Sequence, residues 1–421
     1  MPLRRIKIRK NYALKKPLTF CEKNCIIKLI KLHYISKGGQ KMNKKELAEI
    51  KKNFGEHSGF FTLNRVLTAY IDTQKNVRCQ TNELYSLTPE EIGAVLMESL
   101  SKVFKGSLGK GLLEYPFPRE QYDEGGSQRI LWEAVKTKLA DETACAALLE
   151  KIINNLAYEP AYTIIIGHCS YSIMSRDKND DDLGTAADEY NFIVCAVCPA
   201  VTNDDGLMFD GDSNSISKKS NTELVIAREP TDGFFYPVFS DRAPDVNSVM
   251  YFTKTPRKPN VSFVNDVLGC EFRMSANGEK KTFQQVMHDV CGDELNYTVI
   301  TQVNEKLREF VQEAKNDTEL PVIDGNKLYN ILSDSGVSDE KLEGLKTIFE
   351  NKVSGGALTA TNLVEPKTKL STPEITVSIS KDATDKVRTT TMDGRRCLII
   401  DLDDPAIEIN GLATRIKGNS I

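Results

Sequence analysis

Two neighbouring apolar runs decide the fold: Ala161–Met174, AYTIIIGHCSYSIM, and Tyr190–Val201, YNFIVCAVCPAV. Tyr162–Ile166 and Phe192–Val197 are continuous and rich in branched side chains, the pattern of strands covered on both faces. Between the runs lies Ser175–Glu189, which holds Asp177, Asp180, Asp181, Asp182, Asp188 and Glu189. Clustered carboxylates suit a hard cation. A solvated hairpin loop requires less, so no metal is expected there. Cys195 and Cys198 have the C-x-x-C spacing of zinc and redox sites, but residues three apart on a strand point to opposite faces. Two buried thiols are the expectation. His168 and Cys169 diverge because neighbours on a strand face opposite ways, which leaves His168 alone as a candidate base or ligand, though a lone strand histidine is more often structural.

Upstream, the sequence reads mainly as helices. Asn43–Phe54 has Leu47, Ile50 and Phe54 at helical spacing. Phe61–Asp72 and Val77–Leu87 form a hairpin across Thr73–Asn76. Thr88-Pro89-Glu90-Glu91 opens a helix to about Lys105, with Ile92, Val95, Leu96, Leu100, Val103 and Phe104 on its inner face. Gly106-Ser107-Leu108-Gly109-Lys110-Gly111 is superficially a phosphate-binding loop. Its spacing is short and Gly111 stands where a hydroxyl residue is needed, so a helix end and turn is the expectation. Gln128–Leu139 and Thr143–Leu156 are two further helices, the second capped by Asp141.

Downstream, Asp210-Gly211-Asp212-Ser213-Asn214 starts like a calcium loop, but Ser215 and Asn221 break the pattern. Leu224–Ile226 and Phe234–Phe239 read as strands. Asp241, Arg242 and Asp245 directly follow an apolar strand, where polar chemistry is often displayed. The simpler expectation is that Arg242 pairs with the two acids and fixes a turn. Pro259–Leu268 is a short helix, followed by helices at Lys281–Val290, Tyr297–Glu313, Lys327–Leu332 and Ser338–Asn351. Val353-Ser354-Gly355-Gly356 is a linker signal. Beyond it Ile375–Ile379, Val387–Thr391 and Arg396–Leu402 are strands, the last two joined at Asp393-Gly394, which suits a primed turn.

Composition bounds the rest. The 421 residues are 40 % hydrophobic and 27 % charged, an ordinary globular mix with room for two or three domains. No run approaches a membrane span. The ten cysteines are scattered and no secretory signal precedes them, so a cytoplasmic setting with reduced thiols is expected. Charge is uneven. Residues 1–41 carry twelve of the 55 Lys/Arg and one of the 59 Asp/Glu, leaving 43 bases against 58 acids afterwards. Such a basic leader suits nucleic acid or a membrane surface. The third reading is that it is disordered or not translated, because codons for Lys37–Lys41 would hold a purine-rich ribosome-binding sequence just before Met42.

From Met42 to about Ile416 the chain resembles an uncharacterised bacterial family of low-GC Gram-positive bacteria, domain-of-unknown-function family 4317. The resemblance is carried by Met42–Lys51, Gly106–Lys110, Tyr162–His168, Tyr190–Pro199, Gly233–Asp245, Met250–Lys254, Leu268–Cys270, Ser335–Leu342 and Met392–Ile399. It implies no activity. A fainter similarity, carried by Val267–Cys270, Thr282-Phe283 and Val286, is to bacterial nucleoid-associated (NdpA-like) proteins, which would imply DNA as a partner. The acidic balance after residue 41 opposes this, and Lys254–Lys258 (KTPRK) is the one compact basic patch.

The expectation is an α+β fold: a central antiparallel or mixed sheet with a helical N-terminal part, a helical insert and a small C-terminal β unit. The divisions are 1–41, 42–158, 159–275, 276–355 and 356–421. In function the expectation is a non-enzymatic cytosolic binding or nucleoid-associated protein without cofactor. The alternative is a hydrolytic or metal-dependent enzyme, which requires Asp241, Arg242, Asp245 and His168 to converge.

Overall fold

The computed structural model describes residues 41–55, 58–156, 158, 160–176, 182–202, 207–210, 215–218, 224–353, 355–401, 406–409 and 412–415. The leader before Lys41, the acids Asp177, Asp180 and Asp181, and the calcium-like loop at 211–214 with Asn221 lie outside these residues.

Helix α1 (Lys44–Asn53) starts in a capping box: the Asn43 side chain accepts the Glu46 amide, and the Glu46 carboxylate accepts the Asn43 amide at 2.8 Å. β1 (Phe61–Ile71) and β2 (Val77–Leu84) form the expected hairpin. In α2 (Glu90–Lys102) the inner face differs from expectation: Ile92 and Val95 are exposed, and Gly93, Met97 and Leu100 are buried. The Tyr85 ring packs against Gly93, where a Cβ would come within 3.1 Å of it, so the helix meets its neighbours along that line. Thr88 does not cap α2; its hydroxyl donates to Glu83.

After β3 (Leu112–Pro116) come α3 (Ser127–Lys136) and α4 (Glu142–Asn155), the latter capped by Asp141 through the Thr143 amide at 2.8 Å. The opening pair of runs becomes one long hairpin, β4 (Tyr162–Arg176) and β5 (Asp182–Thr202), so the strands reach further into the acidic stretch than the sequence suggests. β6 (Leu207–Asp210) pairs with β7 (Ser215–Lys218), and β8 (Leu224–Ile226) lies along β5. β9 (Asp232–Tyr236), β10 (Val238–Ser240), β11 (Ala243–Asp245) and β12 (Ser248–Thr253) complete the region. The main sheet runs β2-β1-β4-β5-β9-β12-β3, with β8 beside β5, and every pairing is antiparallel. The division expected between 42–158 and 159–275 falls inside this sheet, because β1 pairs with β4 and β3 with β12.

Alternation along β4 and β5 sorts the core into two layers. Ile164, Ile166, Ile193, Cys195 and Val197 face α3 and α4. Ile165, Cys169, Tyr171, Val194 and Cys198 face α1 and α2. Cys195 and Cys198 are therefore fully buried on opposite faces, as strand geometry demands.

A third core belongs to a helical body of α5 (Ala276–Cys291), α6 (Tyr297–Glu313), β13 (Val322–Asp324), α7 (Gly325–Asp334), α8 (Asp339–Leu342), α9 (Leu345–Lys352), β14 (Ala357–Thr359) and α10 (Ala360–Leu363). The glycine-rich stretch at 353–356 is no boundary: β14 returns to pair with β13 and buries Leu358. Gly106–Gly111 is a junction. Gly109 has φ +74, its carbonyl accepts the Asn362 side-chain amide at 3.0 Å, and a Cβ there would lie 2.9 Å from Leu320. Three hairpins follow: β15 (Lys367–Ser371) with β16 (Thr376–Ser380), β17 (Val387–Met392) with β18 (Arg395–Ile400), and β19 (Ala406–Ile409) with β20 (Leu412–Arg415). Asp393 and Gly394, φ +49 and +73, form the primed turn expected between β17 and β18. Among the described residues no helix is long and apolar enough to cross a membrane.

Candidate functional site

A single extra residue creates the site. Along β1, Leu63 pairs with Cys169 and Arg65 with His168, so Asn64 is left over as a β-bulge. Without it, Asn64 and Arg65 would point to opposite faces. With it, both join His168 on the α3/α4 face. Bulges often re-aim side chains beside functional sites.

Beneath the bulge runs a polar string. The Asn64 amide donates to His168 Nδ1 at 3.1 Å and to Ser170 Oγ at 2.7 Å. Ser170 Oγ donates to Asn191 Oδ1 at 3.1 Å, and the Asn191 amide donates to Glu189 at 2.8 Å. His168 is fully buried. Because Nδ1 accepts, the neutral ring carries its proton on Nε2, which has no hydrogen-bond partner among the described residues. Burial, aided by the positive charge of Lys138, pushes the imidazole down to about 4; Glu189 and the nearby Val135 carbonyl act the other way.

Above the string an open cleft of about 500 Å³ lies between β1, the end of β2 and the α3–α4 turn, a volume ordinary for small-molecule sites. Arg65, Lys138, Asn64, Thr62, Ser86 and Thr137 supply its polar lining, with no carboxylate among the nine lining residues. The turn that positions Lys138 is a Schellman ending: the Leu139 amide bonds the Ala134 carbonyl at 2.9 Å and the Lys138 amide the Val135 carbonyl at 3.0 Å. The Glu133, Ala134 and Val135 carbonyls of α3 are thus bonded, which blunts the negative helix end. Lys138 itself sits at φ +53, the left-handed region favoured by glycine.

The other expected residues lie elsewhere. Asp241 and Arg242, both at φ +51, form the two-residue turn between β10 and β11. Arg242 pairs with Glu49 of α1 at 3.0 Å and not with Asp241 or Asp245. Its amide also approaches Glu46 at 3.4 Å, and Tyr171 donates to Glu49 at 2.9 Å. Burial raises the Glu46 carboxyl above its ordinary value, against the hydrogen bonds it accepts from Asn43, Asp241 and Arg242. Asp245 accepts the Asn247 backbone and side-chain amides. Arg242 therefore docks α1, on the face of Cys169 and Tyr171, whereas His168 points to the opposite face. The four residues do not converge.

Three features escape a sequence reading. The bulge at Asn64 and the left-handed turn at Lys138 have no local marker such as glycine. The third is Asp232, buried on β9, whose two oxygens accept the hydroxyls of Tyr158 and Tyr251. Burial raises its carboxyl, and these bonds hold it down. Tyr251 also accepts the Asn260 amide at 3.0 Å, so the group is a closed structural lock. Among the described residues no three His, Cys, Asp or Glu side chains gather as a metal site.

No curated protein and no solved structure matches the chain. The family model described as domain of unknown function, DUF4317, matches residues 42–412, and the chain belongs to that family.

Proposed function

We propose that this is a non-enzymatic bacterial binding protein of the cytoplasm, and that the cleft over His168 seats a small molecule. The observation that carries the reading is the cleft itself: an open, cation-lined space of mixed polar and apolar walls above a buried histidine, made by a one-residue bulge. A hydrolytic or metal-dependent site has less support, since His168 and Arg242 serve opposite faces of the sheet. A nucleic-acid partner also has less support. Residues 42–421 carry 43 bases against 58 acids, and in the basic loop the Lys254 ammonium is held by Glu229 at 2.7 Å. The eight described cysteines are all unpaired, which favours a reducing compartment.

A macromolecule-free extract of bacterial cytoplasm should raise the melting temperature of the full chain, because a ligand bound only by the folded state stabilises it. Ser86→Trp, which blocks the cleft from an exposed position, should cancel the rise. If the extract leaves the wild type unmoved, the reading fails. A short DNA duplex at near-physiological salt is expected to migrate unretarded; salt-sensitive retardation would favour the nucleoid-associated alternative.

A further inference from the structure

The lining of the cleft specifies a charge as well as a space. Arg65 comes from β1 and Lys138 from the α3–α4 turn, so two cations enter from two walls. Among the described residues no carboxylate pairs with either; Arg65 donates to the Asn82 carbonyl at 3.4 Å. Thr62 on β1 and Ser86 just beyond β2 add hydroxyl side chains to the lining, whereas the Thr137 hydroxyl turns back on its own helix and donates to the Glu133 carbonyl at 2.7 Å. Lys138 and Glu189 are the charged groups that act on the underlying histidine, and Glu189 is tied to Asn191 at 2.8 Å and is not part of the lining. Two cations with no carboxylate in the lining match a group of nearly two negative charges; Asp141 and Glu142 lie outside the lining, near Cys145. A carboxylate supplies one; a phosphate monoester supplies about 1.5 to 2 at neutral pH. Its oxygens also spread tetrahedrally, which suits donors from several directions, and an arginine fork suits two of them at once.

We propose that the cleft binds a small phosphate monoester, its phosphate held between Arg65 and Lys138. The inference rests on the binding reading above and adds the chemical class of ligand. Lys138 occupies a backbone position where glycine is usual, so Lys138→Gly keeps the turn and removes only the charge.

The test is calorimetric titration of the full chain with inorganic phosphate, glucose 6-phosphate, succinate and glucose. The phosphate probes should bind at least about tenfold more tightly than succinate, and glucose should not bind. Lys138→Gly and Arg65→Gln should each weaken the phosphate probes by about tenfold or more, and rising salt should weaken them further. Equal binding of glucose and glucose 6-phosphate, or unchanged binding in both variants, overturns the proposal. If no phosphate probe binds while the cytoplasmic extract still stabilises the wild type and not Ser86→Trp, the phosphate inference falls and the binding reading stands. If the extract is also without effect, both fall.

Discussion

At the scale of single residues, the strongest signals are side chains kept where physics disfavours them. A non-glycine residue in the left-handed region costs about 1–2 kcal/mol, and Lys138 and Leu139 occupy it in succession, at φ +53 and +59. Leu139 is repaid by full burial; Lys138 is exposed and is not. Lys138→Gly should therefore leave the urea midpoint unchanged or raise it, while weakening phosphate binding; a parallel fall in both would mean that Lys138 is structural. His168 gives a pH signature. Its pKa is 6.5 in the unfolded chain and about 4 when folded. Its contribution to stability is complete above pH 6.5, then shrinks as the pH falls towards 4, because the unfolded state takes up the proton first. Between pH 7.5 and 5.0 the wild type should lose about 2 kcal/mol more than His168→Gln. Equal losses in urea titrations would show that the imidazole is not buried neutral. The sequence made His168 visible, and strand parity correctly separated it from Cys169. It could not reveal Asn64, Arg65 and Lys138, because a bulge and a left-handed lysine leave no local pattern.

At the scale of elements, the bulge on β1 makes a sharp prediction. Leu63 and Arg65 already pair with consecutive residues of β4, Cys169 and His168. Deleting Asn64 removes the extra residue and leaves every other pairing, and every apolar side chain, on its present face. The deletion should fold with a near-unchanged circular dichroism spectrum and lose the cleft's binding, since His168 and Ser170 lose their shared donor. An unfolded product would show that the bulge shapes the sheet and not the site. Helix α1 behaves as a strap. Its start bonds Glu114 of β3 through the Met42 amide at 2.9 Å, the Lys44 amide bonds the Thr318 carbonyl at 3.0 Å, and Glu49 meets Arg242 and Tyr171. Arg242→Ala would remove one charge-assisted hydrogen bond from the partly buried Glu49, at a cost of about 2 kcal/mol. The α1 amides should then exchange with deuterium faster than those of β4 and β5. Equal acceleration everywhere would mean that the pair supports the whole sheet. The helix itself was legible from Leu47 and Ile50; its ionic partner was not, because Glu49 and Arg242 are far apart in sequence.

At the scale of the whole molecule, periodicity found the α+β character and the hairpins, but the grouping of elements depended on long-range pairing. The glycine-rich stretch at 353–356 reads as a linker, yet the chain returns through β14 to the helical body. The mainly helical N-terminal part supplies three strands to the sheet. What the sequence placed correctly is the β character of the C-terminal region, and its energetics differ from the rest. Among the described residues, none beyond Val364 belongs to the three core clusters. The hairpins β15–β16, β17–β18 and β19–β20 each pair only with themselves among the described residues, and of their described side chains only Ile379 and Val387 are buried. Two-stranded hairpins are marginal in water, and regions of few buried contacts open first. Limited trypsin digestion of the full chain should therefore cut within 367–415 before it cuts the sheet or the helical body. A chain truncated after Pro366 should melt within a few degrees of the full chain, at about the scale of a 1 kcal/mol change. It should also retain the Arg65–Lys138 cleft, whose lining lies entirely between Thr62 and Ala140. Loss of cooperative melting in the truncated chain would show that the hairpins hold the three cores together, and would move the molecule's stability from its buried layers to its edge.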